Sequence, residues 1–564
     1  MMNSKLYIWL LGLLFVSCYD DLGNYDYTDV NEVGITLKSS YGVKRECHTF
    51  VIRPEIIQSQ RDNYSNLEFL WTENTKSDQY RGDTLSIADS VALLIDPASK
   101  DFADQYYLRL YVTDKTTGAT QMFPTTVKVT KPYEGAWMIL HTQENSTRLG
   151  AIEYLSGDIT ITNDAFYKET GRRLRGTASR LGYCTYFDGA GMNPRSYRPV
   201  TQFWCFTSDP NESGVLIQSD HFRQYDSISR CVYSAHLDDF DCADVRVLDG
   251  VDKGPVCVTK GNVFHGTAST CKLYKMYPQD GIDPANPAVQ GDIQVTHGTA
   301  SGFSSLVYDS KGHRFLHTYS VGFNTDPRSF NDGAENGYRM QYVRKMPDNI
   351  SPEIADPDNI GEDKEMVYMG AGYWYGPNLA MPASRTAIYA FAKSKVTNES
   401  YVYEFHSTPL WNSWREPETS NFTGFFKVKT PEGLTAETPM ACSGAFNRLL
   451  FYAIGNKVYR MDFSVQGGSS ILIYEHPDAE AKATVMKMAR QYASIAPEHE
   501  HYGHVLARSL AVAFDISDGT GEVVVLNLTF SGKVDVDGTY PAIQRHSADQ
   551  QGKKFGKVKD LVFI

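Results

Sequence analysis

From Tyr133 to Ile564 the chain repeats one local pattern: two short alternating runs joined by a turn rich in Gly, Asn or Asp, with almost no helical periodicity. Ser305–Tyr308 and Phe315–Tyr319 flank Asp-Ser-Lys-Gly, and Ala387–Ala392 precedes Tyr401–Phe405. Leu449–Ala453 and Lys457–Phe463 flank Ile454-Gly455-Asn456, while Leu510–Asp515 and Glu522–Leu528 flank Ser517–Gly521. Period-2 alternation gives each strand one apolar face, and such turn residues let the strand double back, so each pair is predicted to be a β-hairpin. A chain with so many short strands must dispose of their unpaired edges. Tyr403, Tyr459 and Val525, at the centres of three second hairpin strands, lie about 60 residues apart, and residues 132–564 hold roughly seven such units, as a β-propeller of four-stranded blades would. The strand-like terminus Gly556–Ile564 is then expected to complete the first blade and close the ring. Two further β-sandwiches are the competing arrangement.

Ahead of this array, residues 31–131 carry alternating runs at Val33–Leu37, Thr49–Ile57, Leu67–Trp71, Val91–Ile95, Tyr106–Val112 and Met122–Thr130. Short strands at this spacing over about 100 residues suggest an immunoglobulin-type β-sandwich with Trp71 between its sheets. The run Tyr106–Asp114, Gly118 and Val127–Thr130 resembles the last strands of a PKD domain. The usual Gly-Asp-Gly turn after the core Trp is replaced by Thr72-Glu73-Asn74, which makes the likeness one to the divergent PKD-like group. Lys131-Pro132 reads as the linker, since Pro ends a strand and restricts the residue before it. The expected fold class is therefore all-β, an N-terminal immunoglobulin/PKD-like β-sandwich followed by a β-propeller of about seven blades.

The N-terminus has a different character. Lys5 is followed by ten apolar residues, Leu6–Phe15, and then Val16-Ser17-Cys18. Ten residues are too few to cross a bilayer, which takes roughly 20, but a basic start with a short apolar core is the form of a cleaved export signal. A signal ending on Cys resembles the lipobox of bacterial lipoproteins, with Phe15 where a Leu is usual. The resemblance implies removal of residues 1–17 and acylation of Cys18. The acidic and aromatic residues 18–30, beginning Tyr19-Asp20-Asp21, read as a solvated tether. They resemble the export tag that sends lipoproteins of the Bacteroidota to the outer face of the outer membrane.

Composition narrows the function classes. With 42% hydrophobic and 21% charged residues the chain is an ordinary globular one. Its 36 Tyr and 28 Phe suit pleated sheets. A net charge of −13 without any basic stripe argues against a nucleic-acid partner. Beyond Cys18, eight cysteines form no Cys-x-x-Cys pair, so neither a zinc ribbon nor a redox motif is indicated. Cys231 with Cys242, and Cys257 with Cys271, have spacings that suit either disulfides or buried thiols.

Candidate sites are few. Tyr373, Trp374 and Tyr375, with Trp411 and Trp414, fall in turn-rich stretches where exposed rings stack on a ligand or plug gaps between blades. His499, His501 and His504 are the densest set of metal-ligating residues, but Pro497 and Gly503 make a loop of their surroundings, and His-Glu-x-x-His is not matched. They are weak metal candidates beside the reading as a solvated loop. Asp515–Gly521 has the look of a calcium loop, yet Leu526 stands where an EF-hand has its Glu, so a hairpin turn is expected. Gly-Thr-Ala-Ser recurs at Gly176–Ser179, Gly266–Ser269 and Gly298–Ser301, read as small-residue strands near the propeller axis. No catalytic residue and no cofactor is indicated.

Taken together, the lipobox, acidic tether, PKD-like unit and propeller-like remainder resemble the PKD-like family lipoproteins of Bacteroidota. That resemblance implies an outer-membrane, outward-facing accessory subunit of a SusC/SusD-type importer, binding an oligopeptide or oligosaccharide and touching the membrane only through its lipid. A surface polysaccharide lyase or hydrolase on a propeller scaffold, or an adhesive protein-binding module, remains the alternative.

Overall fold

The structure, a computed structural model, describes residues 31–44, 49–74, 82–96, 103–155, 158–188, 198–219, 222–248, 256–267, 272–275, 277–278, 306–320, 338–342, 355–374, 386–408, 419–489, 500–501, 504–505 and 507–564. The chain divides between Val129 and Thr130 into two compact units.

The first unit is a sandwich. Its main sheet has five strands in the order Ser40–Lys44, Thr120–Thr130, Gln105–Asp114, Leu67–Glu73 and Asp83–Ser86. Facing it are two antiparallel pairs, Val33–Thr36 with Glu55–Gln58 and Thr49–Ile52 with Val91–Leu94. The alternating run Thr49–Ile57 is not one continuous strand. It is two strands, because Pro54 carries no N–H for a ladder bond and breaks the run at Arg53-Pro54. Alternation does the packing: Tyr106, Leu108, Leu110 and Val112 point inward from one strand onto the fully buried Trp71, with Ile52 and Leu93 on the opposite side. Burying one such aromatic side chain is worth about 2–3 kcal/mol, so this core is the main support of a small unit.

The second unit is built, among its described residues, around seven four-stranded sheets, with one two-stranded pair and a few short helices beside them. We number them as blades and call the first strand in each the inner strand. Blade 1 runs Lys557–Phe563, Ala136–Gln143, Ser146–Leu155, Asp158–Thr162, and blade 2 runs Ala178–Asp188, Arg198–Thr207, Gly214–Gln218, Arg223–Ser227. Blade 3 runs Arg246–Leu248, Val256–Thr259, Asn262–Thr267, Lys272–Lys275. Blade 4 runs Leu306–Asp309, Arg314–Ser320, Tyr338–Tyr342, Tyr277–Pro278; its fourth strand precedes the other three in sequence and pairs in parallel. Blades 5, 6 and 7 begin at Lys364, Met440 and Lys482, with inner strands Lys364–Trp374, Met440–Ala441 and Lys482–Met488. Tyr403, Tyr459 and Val525 all fall in third strands, so the spacing read from the sequence marked equivalent positions. At the two-residue turn Glu144-Asn145 between the second and third strands of blade 1, both residues have positive φ (52° and 57°), the geometry that matches strand twist.

Packing closes the ring. Apolar clusters join blade 1 to 2, 2 to 3, blades 3, 4 and 5 together, 5 to 6, 6 to 7, and 7 back to 1. The last joint is also covalent in topology, because the C-terminal strand supplies the inner strand of the blade that opens the propeller. Trp137 pairs with Phe563 in register and their rings meet edge to face at 5.3 Å. Ile564 donates to Ala136 and accepts from Gly135, at 3.0 and 2.7 Å. Cys231, Cys242 and Cys257 are thiols in the core between blades 2 and 3, so of the two readings the buried-thiol one holds for them; Cys271 lies outside the described residues. Burial raises the Cys242 thiol to about 12, which leaves it protonated and unreactive.

Candidate functional site: the propeller axis

Inner strands of blades 6, 7, 1, 2 and 3 meet in turn around the axis, and four of the seven inner strands share an irregularity. In blade 2 Ala178 pairs with Thr207 and Arg180 with Phe206, leaving Ser179 as an extra residue. In blade 5 the extra residue is Val367, between the pairs Met366–Ala392 and Tyr368–Phe391. Thr484 of blade 7 and Lys559 of blade 1 hold the same position in their strands. A bulge locally strengthens the twist and turns a side chain out of the alternating pattern. Here these bulges fall where inner strands converge, and their side chains and neighbours stitch one blade to the next. Ser179 Oγ donates to the Ala243 carbonyl at 3.3 Å, Thr484 Oγ1 to the Val558 carbonyl at 3.4 Å, and Arg180 Nη1 to the Lys559 carbonyl at 3.4 Å.

Asp560 completes this belt. Its Oδ2 accepts from the Leu181 N–H at 3.0 Å, and its Oδ1 accepts from the Leu561 N–H at 2.9 Å and lies 3.6 Å from Lys487 Nζ. One carboxylate, 3% exposed, thereby ties blades 7, 1 and 2 together. Its oxygens are committed to holding strands, a positioning role.

These residues line a cavity of about 340 Å³. Six of the seven blades contribute: Asp560 from blade 1, Arg180 from blade 2, Arg246 and Val247 from blade 3, Met366–Met369 from blade 5, Ala436–Met440 at the start of blade 6, and Thr484–Lys487 from blade 7. Val247, Met366, Met369, Met440, Val485 and Met486 are buried and form apolar walls. The Tyr368 hydroxyl accepts from the Cys442 N–H at 3.1 Å, which fixes that ring. Against the chain's net charge of −13, the cavity carries Arg180, Arg246 and Lys487 with Asp560 and Glu437. Lys487 and Asp560 pair within this lining.

Tyr373 is half-buried near the end of the blade 5 inner strand, and Trp374 ends that strand, paired with Thr386. Tyr373 stands four residues beyond Met369, about 13 Å along an extended strand, and does not line the cavity. Tyr375, Trp411, Trp414, His499 and Cys18 lie outside the described residues. His501 and His504 face each other in backbone register across a two-residue hairpin. Among the described residues no His, Cys, Asp and Glu group suits a metal.

Gly176–Ser179 opens an inner strand, as read from the sequence, but Gly266 and Thr267 end the third strand of blade 3, away from the axis. Asp515–Gly521 is a hairpin turn, with Ile516 N donating to Thr520 at 3.0 Å and Gly519 at φ 84°. Sequence reasoning missed Arg180, Arg246, Lys487 and Asp560. They come singly from distant parts of the chain, and the pairing of strands far apart in sequence sets their positions.

The fold is thus a PKD-like sandwich followed by a seven-bladed propeller with an axial cavity. A model of the PKD-like family matches residues 18–177, which takes in the sandwich and three strands of blade 1. Among solved structures the chain is similar to a quinoprotein alcohol dehydrogenase-like protein from Bacteroides thetaiotaomicron, at 10% identity over 95% of this chain and 97% of that one, with a TM-score of 0.33. It is also similar to the WD40 domain of SCAP from fission yeast, at 9% identity over 63% and 68% of the two chains, with a TM-score of 0.26. At these scores neither bears on function, and the fold rests on the sheets and inter-blade cores. Comparison with curated proteins gives no match.

Proposed function

We propose that this chain is a lipid-anchored, outward-facing accessory subunit of a SusC/SusD-type importer that binds its ligand without transforming it. The observation that carries the binding half is the axial cavity, assembled from six blades and walled by apolar and basic side chains. Its buried carboxylate is spent on strand contacts. An apolar pocket with a few fixed polar groups is the usual form of a ligand site. The surface half is supported by the leader and acidic tether, and by a family match that begins at Cys18, where the leader is expected to be cut. The importer partnership rests on the resemblance to PKD-like lipoproteins.

The test is detergent extraction of native outer membranes, pull-down of the full chain and mass spectrometry of what accompanies it. SusC/SusD-like subunits in stoichiometric yield support the reading. A chain that comes down alone and depolymerises a polysaccharide overturns it in favour of a surface enzyme.

A further inference from the structure

We infer that the outer face of the sandwich's five-stranded sheet docks a second copy of this chain, with Arg109 of each copy paired to Glu68 of the other. This goes beyond the proposed function and is independent of what the propeller binds. An antiparallel sheet with one face in water is expected to carry polar residues there. On this face Leu70, Tyr111 and Met122 break that rule. They alternate with inward residues such as Trp71 and Leu110, and they form one row across three strands, because Tyr111 pairs with Leu70 on one side and with Met122 on the other. Met122 is 48% exposed, and Leu70 and Tyr111 are half-buried. Exposed Pro124 pairs with Arg109 one rung away. Tyr, Met and Arg are the residues in which protein interfaces are enriched.

Two charges flank the row on opposite sides. Arg109 is two residues from Tyr111 on the central strand, and Glu68 is two residues from Leu70 on its neighbour, displaced the other way along the sheet. Strand geometry sets them about 14 Å apart, too far to pair within one copy. Neither side chain has a hydrogen bond or ion pair among the described residues. Their placement is self-complementary. A two-fold axis lying in the plane of the face, close to the line of the row, turns a second copy onto the first. Residues of the row then meet their own counterparts, and each Arg109 comes over the Glu68 of the other copy, the reciprocal pattern of an isologous interface. A guanidinium matches a carboxylate in two parallel bonds, and the apolar row beside it excludes water. Any other partner must bring both opposite charges in this arrangement, which a second copy supplies by symmetry. Three strands by four rungs cover only about 300 Å², against about 800 Å² a side for a standard interface. The dimer is therefore weak in solution and favoured between chains held on one surface.

The test is sedimentation equilibrium of the full chain in density-matched detergent, from about 1 to about 200 μM, where a dimer with a Kd of about 10–100 μM is expected. Arg109→Glu and Glu68→Arg each place like charges opposite one another and should weaken the dimer at least about tenfold, whereas the two together should restore it. Because neither side chain has a partner within its own copy, melting temperatures of the dilute variants should match the parent, which separates docking from folding. A parent chain that stays monomeric up to about 200 μM overturns the inference. So does a dimer indifferent to both single reversals, or a double variant that stays monomeric. If the parent is monomeric and Arg109→Glu loses co-purified importer subunits, the face belongs to a different protein, and this inference falls while the proposed function stands.

Discussion

His141 shows how one side chain holds the propeller shut. Its Nδ1 accepts from the Gly556 N–H at 3.0 Å, which places its proton on Nε2, 2.9 Å from the Asn163 carbonyl. The ring is therefore neutral, and burial, the main cause, lowers its pKa to about 4. His546, 3.0 Å from the Tyr154 hydroxyl across the joint between blades 7 and 1, is lowered to about 4 for the same reason. Unfolded, both would titrate near 6.5, so between pH 6.5 and 4 the unfolded chain binds protons that the folded one does not. Their contribution is complete above pH 6.5 and is lost as pH falls toward 4, on the order of 3 kcal/mol for each ring. Denaturant midpoints measured at pH 7.5, 6 and 4.5 should fall in that order, and His141→Gln with His546→Gln should flatten the dependence. A pH-independent midpoint in the parent chain would reject this account. At pH 7.5, His141→Ala is expected to cost about 2 kcal/mol by stranding the Gly556 N–H. Gly556 is itself constrained, since a Cβ there would collide with the Thr142 carbonyl. Gly556→Ala should therefore lower the melting temperature, whereas Gly552→Ala, in open space but at φ 78°, tests backbone strain alone.

At the scale of elements, the terminal strand and the bulged inner strands carry the architecture. A stop after Gly556 removes Lys557–Phe563, uncovers the buried faces of Trp137 and Ile139, and deletes Asp560 from the belt. The truncated chain is expected to bind a hydrophobic dye and to be cut rapidly by protease at temperatures where the full chain resists. Asp560→Ala is the milder version. It leaves the Leu181 N–H without its acceptor and Lys487 without its counter-charge, a loss of about 3 kcal/mol that urea titration would reveal. Much of this architecture was legible in the sequence, because a hairpin needs only local alternation and a turn. Leu449–Ile454 with Lys457–Asp462, and Ser509–Asp515 with Gly521–Asn527, were found that way. Strands too short for a period were not, such as Arg246–Leu248 and Met440–Ala441. The parallel fourth strand of blade 4 was hidden for a different reason, since it is borrowed from an earlier segment. The cavity was illegible because no window of sequence contains more than a fraction of it: Arg180 and Asp560 are neighbours only after the ring closes.

For the whole molecule, the proposed lipid at Cys18 changes what affinity the propeller needs. A protein confined to the same membrane as its importer meets it at a high effective concentration, so weak contacts suffice. Free in solution, the same contacts would leave the two mostly apart. The consequence separates anchoring from recognition. Cys18→Ala should leave the folded chain in the soluble fraction, with an unchanged melting temperature. Its yield of co-purified importer subunits should fall at least about tenfold at equal expression. Supplying the soluble variant at rising concentration to membranes lacking the native protein should restore association. A Cys18→Ala chain that stays with the membrane would mean that some other segment anchors it. One that is released yet keeps full importer yield would mean that direct contacts alone suffice. The roughly tenfold fall with rescue by concentration is the outcome expected if a weak docking surface works because the anchor keeps it in place.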